Sequence, residues 1–466
     1  MHPLLASGIL LAQCTGPWCG PDTEYERPAG VLLGDEAVPV ATRTSEGAVA
    51  AAFEFRAPGG EADVCVVRRE SGPESEWSDP VLLDGDGFGT SRAIEPRIAA
   101  GAAGLLCVVW QDARSGHDAI WFTRSTDDGR TFERARRLPD AGGEWTASMP
   151  ALAIDALGVV HVVWEDQRDG SRDLRYARST DAGVTFSASR RVDSDEAGAH
   201  VSYHPLLACA ADATVVSWWD ERDGLADVYV RRTTDAGGTW AGPEQSLSPG
   251  TPGKILSRDV RLSAAGSTVA VAWEQGRVPS GATIMSRVSR DSGATFEEPR
   301  GLGTGEDPEV AALPAGRAIV SWWSRAGGAA RERTSVGGRI VDIPVPLEWD
   351  LVDSSAPRAV RKQPGLDAHE SIWMERFGDD VWAARGGAAT GRGALEILGA
   401  AGAGADSAWQ WRPVAILRFG NDYTASTTDV RARSLTGAVA GDGALQLLWI
   451  SVFGETRELS SARLER

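Results

Sequence analysis

The chain has 466 residues and a formal net charge of −18, with no basic stripe, a balance that works against binding the phosphate backbone of nucleic acid. It carries 54 glycines and 18 tryptophans but only two lysines, Lys254 and Lys362. Long helical patterns are absent, so a turn-rich β-protein is expected.

The first element is an apolar run of about ten residues inside "MHPLLASGILLAQCTGPWC", too short to cross a bilayer as a helix but of the right length for the core of an export signal. "LAQC", ending at Cys14, resembles a bacterial lipobox, in which the cysteine is lipidated after cleavage. Gln13 departs from the small residue expected there, and the basic stretch that should precede the run is missing. Residues 1–28 are read as an export or lipobox-like segment with a linker, and 29–466 as one domain. The expected address is bacterial and exported: an outer-membrane or periplasmic lipoprotein, or a secreted protein. Any membrane contact would come through the lipid on Cys14, and the protein is expected to be a monomer.

Cysteine and histidine usage adds little chemistry. Cys65 and Cys107 sit in apolar strand runs and Cys209 follows another, which fits buried free thiols. "HVSYH" at 200–204 lacks a third ligand, so no metal and no cofactor are expected.

After the linker, "GVLLGD" at 30–35 matches "PVLLDG" at 80–85 and reads as a strand displaced to the front of the chain. "AVAAAFEFR" at 48–56 and "DVCVVRRESGPESEW" at 63–77 begin a unit that then recurs more clearly. Its second strand is "CVVWQDAR" at 107, "HVVWEDQR" at 161, "VVSWWDER" at 215 and "AVAWEQGR" at 270, so that Trp110, Trp164, Trp218 and Trp273 step by 54, 54 and 55 residues. "IVSWWSR" at 319 is a worn copy. An octet closes each clear unit: "STDDGRTF" at 125, "STDAGVTF" at 179, "TTDAGGTW" at 233 and "SRDSGATF" at 289. Its aspartates, Asp127, Asp181, Asp235 and Asp291, step by 54, 54 and 56 residues.

Short β-branched runs bounded by Gly and Asp turns indicate an antiparallel meander, and four strands per unit of this length indicate a propeller. A stacked solenoid is the alternative, but its units are usually shorter. In the octet, the Asp accepts hydrogen bonds from backbone N–H groups of its own turn. Gly129, Gly183, Gly237 and Gly293 take a φ that other residues resist, and the closing aromatic anchors the turn between sheets.

The pattern S-x-D-x-G-x-T-[FW] resembles the Asp-box, or BNR repeat, of sialidases and related β-propellers, over roughly 90–300. The resemblance implies that the octets lie on the face opposite the active site and are structural. The fold expectation is an all-β, single β-propeller of four-stranded antiparallel blades, eight in number with seven as the alternative, whose last blade is closed by the N-terminal strand. Six blades, as in sialidases, would not accommodate the repeats. "ESIWMERFGDDVWAARGG" at 370–387 with "ALEILG" at 394–399 as a fourth strand forms the seventh blade, and 429–466 supplies three strands of the eighth.

A second repeated group is W-[QE]-D-x-R followed by another Asp: Asp112, Arg114 and Asp118; Asp166, Arg168 and Asp173; Asp220, Arg222 and Asp227. Its recurrence suits an Asp/Arg-braced turn, while by resemblance it lies on the active-site face and stands as a candidate ligand-binding set. A sialidase-like enzyme would need an arginine cluster, an Asp acid/base and a Tyr nucleophile. The family's Phe/Tyr-Arg-Ile-Pro motif is absent, and among five tyrosines only Tyr203 and Tyr423 are suitably placed, with Asp112 the acid candidate. About 29 residues between 400 and 428 offer Trp409, Trp411, Arg412, Arg418 and Tyr423 for a ligand if they arch over the channel as a loop; the alternative is a strand pair of a larger seventh blade. The functional expectation is a non-catalytic binding or scaffold propeller for a glycan or protein ligand. The alternative is a sialidase-like glycoside hydrolase of the exo-α-sialidase type.

Overall fold

Each clear unit holds one strand that is buried from end to end. Every residue of Leu106–Asp112 and of Val160–Asp166 is buried, which requires a partner strand on each edge and packing on both faces. The computed structural model supplies both. It describes residues 39–323 except 57–59, 73–74, 86, 88, 241 and 277–281, the pair Gln13–Cys14, and after 324 the short paired strands Arg325–Ala326 and Ala329–Ala330 and the strands named below with residues 440, 441 and 444.

The second sheet shows the plan: Ala93–Ala100, Leu106–Asp112, Ala119–Ser125 and the short Arg136–Arg137 pair in chain order, all antiparallel. The first sheet starts at Val40–Arg43, the third at Ala147–Ile154 and the fourth at Ser202–Cys209, each with four strands in the same order. The fifth starts at Ser257–Ala265, and its outer strand continues into the next sheet. In Arg300–Leu313, residues 300–305 pair with Ala282–Ser289, whereas 306–313 pair with Arg317–Trp323, whose other edge takes Glu348–Asp353. One continuous strand therefore belongs to two sheets.

The seventh sheet consists of Ile372–Phe377, Asp380–Ala389, Arg392–Ala400 and Trp411–Arg418, with Gln13–Cys14 paired outside the last. This corrects two expectations. The segment 394–399 lies in the third strand, not the fourth, and Trp411, Arg412 and Arg418 belong to a strand in register with Arg392–Ala400, not to an insertion arching over the channel. The final sheet holds Thr428–Val439, Leu445–Phe453 and Thr456–Leu464. The closing strand expected at 30–35 lies outside the described residues.

First strands touch in series around the molecule, from Val40–Arg43 to Ala93–Ala100 and onward, and Thr428–Val439 returns to Val40–Arg43. At that seam Val49 packs with Ala438 and Ala440, and the Gly441 N–H donates to the Gly47 carbonyl at 2.7 Å. The architecture is an all-β propeller whose first strands face the central channel. Between sheets the core is built from the repeated tryptophans: Trp110 at the junction of the first and second sheets, Trp164 at the next, then Trp218 and Trp273, all fully buried.

Candidate ligand-binding face

The two ends of each sheet carry different turns. At one end sit the octets, between third and fourth strands. Asp181 accepts from Ser179 Oγ (2.6 Å), the Thr185 N–H (2.8 Å) and Thr185 Oγ1 (2.6 Å), and Asp127, Asp235 and Asp291 accept the same set from their own turns. The bond from Ser179, with those from Thr185, holds the Asp181 carboxyl down at about 2. Gly183 takes φ +84°, and a Cβ there would lie 2.7 Å from Phe122 Cζ of the preceding sheet. The closing aromatics pack onto that preceding sheet as well, Phe186 edge-on to Phe122 at 4.9 Å and Trp240 edge-on to Tyr176 at 5.0 Å. Each octet is therefore a clasp between neighbouring sheets.

Arginine completes the clasp. Arg124 Nη1 donates to the Ala182 carbonyl (2.7 Å), Arg178 to those of Asp235 and Ala236, and Arg232 to those of Asp291 and Ser292. Each reaches from the end of one third strand into the octet of the next sheet.

At the opposite end lie the D-x-R turns. Asp112, Asp166 and Asp220 are fully buried and accept from the indole N–H of Trp110 (2.9 Å), Trp164 (3.0 Å) and Trp218 (3.2 Å). Each also accepts from the backbone N–H and the guanidinium of its own Arg114, Arg168 or Arg222. A carboxylate without surface and with this many donors braces its turn and does not reach a ligand, so the geometry assigns Asp112 to neither acid/base nor binding work. The second aspartates act likewise: Asp173 and Asp227 accept from the Gly198 and Gly253 N–H groups of the connection to the next sheet, and Asp118 binds Arg92. Asp173, Asp193 and Asp195 form the one close carboxylate trio among the described residues. Arg191 already spans it, at 3.3, 2.9 and 2.7 Å, and supplies the cation.

The channel side of this same end carries a different device. Glu95, Met149, His204, Asp259 and Asp307, one in each first strand from the second sheet to the sixth, take φ between 48° and 55° at a bulge. In four of the five a proline follows, which leaves no N–H unpaired at the irregularity. The bulged N–H groups turn to the preceding sheet: Glu95 donates to Glu54 Oε1 (2.8 Å), His204 to Glu165 Oε1 (2.8 Å) and Asp307 to Glu274 Oε1 (2.8 Å). Burial pushes Glu54 up to about 7 and Glu274 up to about 6, against the hydrogen bond each accepts.

At the junction of the fourth and fifth sheets the acceptor's place is taken by Trp219. It pairs across strands with Tyr203, and the two rings stack at 4.3 Å and 22°. His204, exposed, lies parallel to Trp219 at 5.6 Å and 14°, and the Arg172 guanidinium stands 5.5 Å over Tyr203. Tyr203 and Trp219 are half-buried, so the structure presents an aromatic platform beside the channel.

Of the residues singled out from sequence, the structure therefore brings Tyr203 to the channel, while Asp112, Asp166 and Asp220 with Arg114, Arg168 and Arg222 stay in their turns. Trp409 and Tyr423 lie outside the described residues, and Trp411, Arg412 and Arg418 stand in the fourth strand of the seventh sheet. Trp219, His204 and Arg172 were not anticipated. Their signal was a break in the repeat: the position held by Gln111, Glu165 and Glu274 is tryptophan in the fourth unit alone of these four.

No protein-family model matches the chain, and no curated protein matches it. Among solved structures, the α-L-arabinanase of Penicillium chrysogenum complexed with arabinobiose is 14% identical, with 80% of this chain and 93% of that one covered at a TM-score of 0.42. The NanB sialidase of Streptococcus pneumoniae is 9% identical, with 97% and 71% covered at 0.41. The polysaccharide lyase Uly1 is 11% identical, with 93% and 99% covered at 0.43.

Proposed function

We propose that this protein is an exported carbohydrate-binding β-propeller of eight blades that holds a sugar chain against the Tyr203–Trp219–His204 platform. The observation that carries the reading is that stack, since half-exposed aromatic rings stacked beside a channel offer apolar surface for the C–H side of a pyranose while nearby charges meet its hydroxyls. The reading is non-catalytic because the buried carboxylates here, Glu54, Glu165 and Glu274, are held by bulge N–H groups, and the D-x-R aspartates are sealed in their turns. Export rests on the N-terminal run, and anchoring on Cys14.

Titration of the intact protein with neutral oligosaccharides, followed by tryptophan fluorescence, tests it. Trp219→Ala should weaken binding by ~10-fold or more at an unchanged melting temperature. Equal affinity in wild type and Trp219→Ala would sink the proposal. Release of reducing ends that disappears in Tyr203→Phe would replace it with a glycosidase.

A further inference from the structure

The five bulges on the channel wall are not equivalent, and the odd one lies at the platform. Four of the bulged N–H groups find a side-chain oxygen on the preceding sheet. Glu95, His204 and Asp307 donate to Glu54, Glu165 and Glu274, each at 2.8 Å, and Met149 donates to Gln111 Oε1 at 3.3 Å. Every one of these acceptors directly follows the buried aromatic of its second strand, Phe53, Trp110, Trp164 or Trp273. The remaining bulge, at Asp259, takes φ 50° with the same kind of register shift, so its N–H is aimed at the corresponding place. The residue that follows Trp218 there is Trp219, whose indole has a donor and no acceptor oxygen. Among the described residues no side chain accepts from the Asp259 N–H. Val260 stands where the other four bulges have proline, and it is buried in the cluster on which Trp219 packs, which keeps the ring at this bulge.

A backbone N–H without a protein acceptor is left to water or to a ligand. This one adjoins the half-buried Tyr203–Trp219 stack, so a group that suits it presents an oxygen to the N–H and an apolar surface to the indole side by side. An acetamido group has both, in its carbonyl and its methyl. A hydroxyl has no methyl, and a carboxylate would lie against the Asp259 carboxylate. Resting on the carbohydrate-binding reading above, we propose that the platform selects N-acetylated amino sugars, whose acetamido carbonyl accepts from the Asp259 N–H while the methyl lies on the Trp219 ring. The ligand thereby supplies at one junction the acceptor that the chain itself supplies at the other four.

The experiment compares hexamers of N-acetylglucosamine and of glucose in the same β-1,4 linkage, which differ only in acetamido against hydroxyl, with a galacturonic acid hexamer as the carboxylate probe. On the intact protein the acetylated hexamer should bind ~10-fold tighter than the glucose hexamer, and Trp219→Ala should lose that advantage. In protein carrying isotope-labelled aspartate, the Asp259 amide signal, assigned by its loss in Asp259→Asn, should move further downfield with the acetylated hexamer than with the glucose one. Trp219-dependent binding of both with equal affinity would overturn this inference and leave the carbohydrate-binding reading standing. An acetamido advantage with no greater shift at Asp259 would overturn the bulge assignment, and tightest binding of galacturonate would overturn the choice of acetamido over carboxylate. Failure of all three hexamers to bind would remove both readings.

Discussion

At the scale of single residues, the same side chain does opposite work at the two ends of a sheet. Asp181 is exposed, yet three donors hold it ionised. Asp181→Ala should cost about 1–2 kcal/mol of stability and leave the proposed binding at the platform on the other face unchanged. Its carboxyl is lowered from 3.8 to about 2, so its contribution is present above about pH 3.8 and is lost as pH falls through about 2. Melting curves of variant and wild type should therefore converge in acid; a constant difference would refute the turn assignment. Glu54 behaves in reverse. Burial raises it from 4.5 to about 7, so stability is intact below about 4.5 and falls as pH rises through about 7. Glu54→Gln keeps an acceptor for the Glu95 N–H and should be more stable than wild type above pH 7 by ~1–2 kcal/mol, with the gap closing near pH 5. A gap that ignores pH would count against this account.

At the scale of elements, the repeat could be read from the chain wherever one residue does the same job in each unit. The buried tryptophans and the octets are of this kind, because a turn that needs a positive φ and a carboxylate acceptor tolerates few residues. The seventh sheet was misread because its strands lack both markers, so nothing distinguished 394–399 as third strand or 411–418 as fourth. The channel platform was legible only as an exception: Trp219 breaks a polar position, and Tyr203 and His204 stand where the second and third units place Ile94 and Glu95, Ser148 and Met149. Partners across sheets could not be read at all. Arg124, Arg178 and Arg232 precede their octets by one residue but clasp the octet of the next unit, and the fifth unit, whose successor has no octet, puts Val288 at that place. Arg178→Met should keep the stem and leave two carbonyls without their donor, costing about 1–2 kcal/mol. If calorimetry shows no loss, the arginine is merely solvated beside the turn.

At the scale of the whole molecule, stability depends on the seam between the first and last sheets. Gly47 takes φ +90°, and a Cβ there would sit 2.6 Å from Gly441 Cα. Gly47→Val should lower the melting temperature of the entire protein in one transition, since an opened ring exposes two sheet edges. Selective loss of the first sheet, seen as local hydrogen exchange with the rest unchanged, would mean that the sheets melt independently. The strand Arg300–Leu313 points the same way on the far side of the ring. Because one uninterrupted backbone serves as outer rail of one blade and inner rail of its neighbour, the two cannot change phase separately. Side chains alternate along it with period two, and the irregularity between Glu306 and Glu309 resets that alternation at the handover. Deleting a single residue just before it would turn Leu302, the buried apolar side chain of the fifth blade's part of the strand, outward while leaving the sixth in step, so this stretch behaves as a gear tooth that tolerates substitution far better than a change of length.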